Sequence, residues 1–195
     1  MKIKALISIL IFVLAVLIIA GSCATTPQTQ EEKEGVNQEV FFKSVKSGDY
    51  AEVKRLIEEG ADVNTQSSIG VTALLWASWE GHTEIAKLLI EQGADINVKD
   101  NRGATPLMAA SAHGHPEIAK LLIEEGVDVN AKDNNGRTAL MKASQYGCPE
   151  VAKLLIEQGA DIEAQNNEGI TALMYASTHG HTEIAKLLIE AGAKQ

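Results

Sequence analysis

Two kinds of apolar run alternate along the chain. One is short and built largely from small residues, as in TALLWAS at 72–78; the other, as in EIAKLLIE at 84–91, sets Ile85, Leu88 and Leu89 at helical spacing. The pattern predicts a first helix from about Thr72 to Glu80 and a second near Glu84 to Gln92. Gly81 between them suits a left-handed helix end, and Gly93 closes the second helix. The polar stretch ADINVKDN at 94–101 is then expected to turn back as an extended hairpin, with Gly103 at a turn position.

The same order of runs returns along the chain. GHTEIAKLLIE occurs at 81–91 and again at 180–190, with GHPEIAKLLIE at 114–124 and GCPEVAKLLIE at 147–157, so the copies start 33 residues apart. At that period Thr72, Thr105, Thr138 and Thr171 align, as do Leu74, Leu107, Leu140 and Leu173, and Ala77, Ala110, Ala143 and Ala176. Each threonine stands where its hydroxyl can accept from a free N–H at the start of the first helix. Pro106 lies just inside such a start, where a missing N–H costs nothing. A fixed period of this length predicts a repeat array in which each unit covers the next.

The unit text, G-x-T-[AP]-L-x-x-A, then G-H-x-E, then L-L-I-E-x-G-A-D-I-N, closely resembles the ankyrin repeat. The resemblance implies an all-α repeat solenoid of about five units, at 36–68, 69–101, 102–134, 135–167 and 168–195, each a helix-turn-helix followed by a β-hairpin loop. The first unit diverges: Lys54 and Arg55 fall where the second has Lys87 and Leu88, and a polar outer face is what a terminal unit needs. The histidine that the family carries after T-P-L is Leu75, Met108, Met141 and Met174 here, which should exchange hydrogen bonds between units for packing. In the last unit Leu187, Leu188 and Ile189 form either a frayed edge or a contact surface.

The amino terminus has a different character. Lys2 and Lys4 precede an apolar run of 16 residues, Ala5 to Ala20, interrupted by Ser8. That is shorter than the ~20 residues a spanning helix needs and has the layout of an export signal. Ala20, Gly21 and Ser22 lead to Cys23, so residues 1–22 resemble a bacterial lipoprotein signal peptide, with Ala20 where the family prefers leucine. The resemblance implies cleavage before Cys23 and attachment of lipid, palmitate included, to that residue. Ala20-Gly21-Ser22 also fits ordinary signal peptidase, which would release a soluble periplasmic or secreted protein. The segment 24–37 is polar, contains Pro27 and lacks apolar periodicity, so 23–35 reads as a lipid-attached flexible linker ahead of a repeat domain at 36–195. Ala24 is not the aspartate that retains some lipoproteins at the inner membrane, which leans toward the outer one.

Charge and cysteine usage narrow the chemistry. The net charge is −9, and loss of residues 1–22 with Lys2 and Lys4 leaves −11, which disfavours nucleic acid as a partner. Two cysteines, Cys23 and Cys148, cannot build a disulfide framework. His113-x-His115 and His179-x-His181 have the look of metal-ligand pairs. However, His82, His115 and His181 share one repeat column, in which the resemblance implies a role in capping and packing the second helix. Units about 10 Å apart cannot share a zinc ion whose ligand bonds are near 2 Å. Cys148 takes that column's place in the fourth unit and reads as a buried, inert thiol. Glu84, Glu117, Glu150 and Glu183 recur as residues that favour the helix dipole. No phosphate loop, nucleophile elbow or zinc-protease motif occurs, so neither catalytic residues nor a metal or other cofactor is expected.

Framework columns serve stacking, which leaves recognition to positions that differ between units. By resemblance to the ankyrin family these line a concave face at the loop tips and the ends of the first helices. Trp79, Glu80, His113, Tyr146 and His179, with Arg102 and Arg137 at the tips, form the candidate protein-binding set. Trp and Tyr often carry binding energy; the alternative for Trp79 is that it covers the irregular first unit. The resulting expectation is a monomeric, non-catalytic interaction scaffold, exported and lipid-anchored in the bacterial cell envelope. The alternatives are a secreted effector that binds a host protein, and an enzyme or metal-binding protein.

Overall fold

The computed structural model describes residues 28–194, with side chains from Gln38 onward. The signal-like segment 1–22 and Cys23 lie outside the described residues. The chain divides into two units, 1–36 and 37–195. Ten α-helices and no strand occur among the described residues: α1 (Gln28–Ser47), α2 (Tyr50–Glu58), α3 (Ala73–Glu80), α4 (Thr83–Glu91), α5 (Pro106–His113), α6 (Pro116–Glu124), α7 (Ala139–Tyr146), α8 (Pro149–Glu157), α9 (Ala172–Thr178) and α10 (Thr182–Glu190).

Helix α1 begins at Gln28, so residues 28–35 are helical where the sequence suggests a flexible linker. The physical reason is local composition. Gln28, Gln30, Glu31, Glu32, Lys33 and Glu34 all favour helix, and the apolar periodicity that the linker lacks is not needed for propensity to act. Further along, Phe41 and Val45 are buried one turn apart and begin the core.

From α3 onward the expected helix pairs appear at the expected places. Thr72, Thr105, Thr138 and Thr171 each cap a first helix, accepting from the backbone N–H three residues on at 3.3–3.4 Å. Gly81, Gly114 and Gly147 end α3, α5 and α7 in the left-handed conformation. Ala77, Ala110, Ala143 and Ala176 are fully buried, and their small size lets neighbouring first helices approach closely. Ile85, Ile118, Val151 and Ile184 are buried with Leu89, Leu122, Leu155 and Leu188, and with the alanines they form one continuous core.

The departure from the family histidine works as packing in three units: Leu75, Met108 and Met141 are buried, whereas Met174 is 52% exposed. In α2, Arg55 is exposed and bridges Glu52 and Glu59, which gives the first unit the polar outer face its sequence suggests.

The hairpins are tighter than expected. Each is a reverse turn rather than a pair of strands: Ser67, Asp100, Asp133 and Asn166 donate their N–H to the carbonyls of Val71, Ala104, Arg137 and Ile170, and accept in turn from the N–H of Gly70, Gly103, Gly136 and Gly169. Neighbouring turns join through Asn101 N–H to Ile69, Asn134 to Arg102 and Asn167 to Asn135 carbonyls. Asparagine side chains run alongside: Asn101, Asn134 and Asn167 each donate to a carbonyl 33 residues back. The loops are therefore held by their neighbours in the array, which leaves the tips in a fixed register beside the first helices.

Candidate protein-binding face

The ends of α3, α5, α7 and α9 and the turns before them carry the residues that vary between units. Trp79 is half-exposed, and its ring centroid lies 4.2 Å from that of His113 in the next unit. It has this room because the register position one unit on is Ala112. Trp76 stands 6.4 Å from Trp79, with Lys46 Nζ 3.6 Å over its ring. Glu80 is exposed beside Trp79, and Arg102 is exposed at its loop tip.

The other candidates stand apart from this aromatic group. Tyr146 is 56% exposed and has no aromatic neighbour among the described residues. His179 places Nδ1 2.9 Å from the Tyr175 carbonyl and its ring 6.2 Å from that of Tyr175. Arg137 is half-buried and bonded to its own turn, with Nε donating to Asp133 Oδ2 at 2.9 Å. The structure therefore brings Trp79 and His113 together and ties Arg137 down.

Sequence reasoning missed the charged group behind Arg137. Asp133 is buried, and Lys142 Nζ also reaches its Oδ2 at 3.2 Å. Burial would push the Asp133 carboxyl up, but the Arg137 amide N–H and the charges of Lys142 and Arg137 outweigh it and hold the group below its usual value. Burial and the nearby Arg137 charge lower Lys142 despite its carboxylate partner. The signal was present: Lys142 stands in a column that holds Lys43, Trp76, Ala109 and Tyr175 in the other units.

The histidine column acts differently from the expected helix cap. His82, His115 and His181 make no side-chain cap bond. Instead their Nε2 atoms lie 3.0–3.1 Å from the carbonyls of Lys46, Trp79 and Gln145 in the preceding unit. A carbonyl only accepts, so Nε2 carries the proton in each. In the fourth unit Cys148 replaces the imidazole, and its Sγ is 4.0 Å from the Ala112 carbonyl. Burial pushes that thiol up, away from the reactive thiolate. The rings of His113 and His115 stack at 6.4 Å and those of His179 and His181 at 6.2 Å. No group of three or more His, Cys, Asp or Glu placed to hold a metal ion occurs among the described residues.

Capped helix pairs, joined through side-chain-to-carbonyl bonds at a fixed step, define a helical repeat solenoid. The family model for ankyrin repeats (3 copies) matches residues 13–100, 41–133, 93–166 and 131–195, and the chain belongs to the ankyrin repeat family. Ankyrin repeats typically bind other proteins and are generally non-catalytic. No curated protein matches the chain.

Proposed function

We propose that this protein is a non-catalytic adaptor that holds a partner protein on the face made by its first helices and turn tips. The observation that supports this reading is the half-exposed Trp79 packed on His113, among positions that stacking does not use. Tryptophan is enriched among residues that dominate binding energy, and a rigid neighbour lowers the entropy lost when it is covered. Tyr146 extends the same face two units further on. Replacing Trp79 and Tyr146 together by alanine is expected to leave helical circular dichroism intact. It should weaken crosslinking to a partner in envelope extracts by about 30-fold or more, the effect of losing ~2 kcal/mol at a binding hot spot. Undiminished crosslinking would remove the face from consideration.

The adaptor is lipid-anchored through Cys23 in this reading, displayed at the bacterial cell envelope as a monomer. Support comes from the sequence, in which the apolar run ends three residues before that cysteine. Palmitate should label the wild type and not Cys23→Ala. Equal labelling would sink the anchor, and release of the wild type into the medium would favour a secreted effector.

A further inference from the structure

Charge is divided between the two helix layers of the array. Each of α4, α6, α8 and α10 holds two glutamates and one lysine, all exposed. The first-helix columns of the binding face hold the reverse balance: Lys43, Lys46 and Lys142 against the single glutamate Glu80. At the turn tips Arg102 and Arg137 stand against Glu168. Contact places Lys46 on this face, since its Nζ lies 3.6 Å over the Trp76 ring.

The cations of the face are of two kinds. Arg137 and Lys142 share the buried Asp133 carboxylate at 2.9 and 3.2 Å, and Lys142 also lies within the attraction of Asp100. Those charges are answered from within. Lys43, Lys46 and Arg102 are exposed and form no ion pair among the described residues, although Glu39 and Asp49 lie close to the two lysines in sequence.

We propose that this face takes an acidic segment of the partner protein, rich in aspartate and glutamate, with its carboxylates on Lys43, Lys46 and Arg102. Such a segment is drawn to the first-helix side and repelled by the exposed glutamates of the second helices, so charge alone sets which side it meets. From α1 to α5 is two steps of about 8–10 Å, which about five or six extended residues cross. Trp76 and Trp79 lie between those two helices, within reach of the apolar side chains of the same segment. Nucleic acid fits less well, because a chain of net charge −9 opposes a closely spaced run of phosphates. The inference rests on the adaptor reading and names the chemistry recognised on that face.

The test uses the full chain in detergent and the peptide acetyl-EEGEEGEEG-amide, with glutamine-for-glutamate and lysine-for-glutamate versions alongside. Nuclear magnetic resonance follows the indole N–H signals of Trp76 and Trp79, the two tryptophans of the chain. The glutamate peptide should shift both saturably, and the other two peptides should not. Lys43→Glu, Lys46→Glu and Arg102→Glu together should weaken binding about tenfold or more. The milder set, with glutamine at the same three positions, should weaken it in the same direction and covers the case in which the first set misfolds. Lys87→Glu, Lys120→Glu and Lys153→Glu make the same charge change on the second-helix side. In about 0.1 M salt, which screens distant charges, they should leave binding within about twofold. Equal shifts from the glutamine peptide, no saturable shift from the glutamate one, or an equal loss from the second-helix set would overturn the proposal. Tighter binding of a nine-residue oligothymidylate would overturn it too, in favour of nucleic acid. Crosslinking to a partner separates the two readings. If it depends on Trp79 and Tyr146 but is unchanged by the glutamate set at Lys43, Lys46 and Arg102, the acidic partner fails and the face stands. If it is indifferent to Trp79 and Tyr146, the face fails.

Discussion

Gly81 meets two constraints at once. Its φ of +85° is left-handed, and a Cβ there would stand 2.5 Å from the His115 ring of the next unit. Gly114 keeps the backbone constraint, but its Cβ would meet Cys148 Sγ at 3.2 Å, and at Gly180 a Cβ would meet nothing within 4 Å. Alanine at any of the three incurs the left-handed penalty of about 1–2 kcal/mol. Only Gly81→Ala must also push aside a histidine, with its hydrogen bond of about 1 kcal/mol. Urea denaturation should therefore rank the losses Gly81, then Gly114, then Gly180. The converse substitution, Cys148→His, should restore the bond to the Ala112 carbonyl and raise stability by about 1 kcal/mol in the same assay. The glycine column and its left-handed helix ends were legible in the sequence, but the second constraint was not. The clash involves a side chain 34 positions away, which is invisible until the units stack.

Among elements, the second helices show what repetition conceals. Leu121 and Leu122 look equally suited to the core in IAKLLIE, yet Leu122 is fully buried and Leu121 is half-buried. Leu122→Ala should cost about 2–5 kcal/mol and Leu121→Ala clearly less, by thermal or urea denaturation. The turn before α7 has its own dependence on pH. The folded Asp133 carboxyl lies below its unfolded value near 3.8, so its contribution is present above that value and is lost as pH falls through the folded one. Asp133→Asn should destabilise by about 1–3 kcal/mol at pH 7, and its difference from the wild type should shrink steadily on acidification below about pH 4. The helices, their caps and their glycine ends were readable because each depends on residues within one turn. The bonds from asparagine and histidine to carbonyls were not, because both donor types also serve local caps and turns.

For the whole molecule, an array whose units touch only their neighbours has stability that is nearly a sum over interfaces. The described interfaces are not equal. Met174 is 52% exposed and Ile189 43%, whereas Met108 and Met141 are buried in the same column as Met174. Amide hydrogen exchange should therefore be fastest in α9 and α10 and slowest in α5 and α7, with opening spreading inward from the exposed edge. Exchange uniform along the array would contradict this nearest-neighbour account.

The binding face arises at this same scale. From sequence, Trp79, His113, Tyr146 and His179 share the property of varying between units. Their separation into a touching pair, Trp79 with His113, and two single residues depends on the space left by Ala112. The amino-acid sequence by itself determined the repeat, its step of 33 residues, the order of helices and the positions free to vary. These follow from periodicity and short-range backbone chemistry, which one unit contains in full. Only the tertiary structure decided which carbonyl each histidine meets, that Arg137 is bound to Asp133, and that Lys142 reaches the same carboxylate. Those outcomes depend on distances between units, and such distances exist only after stacking has set side chains from neighbouring repeats against one another.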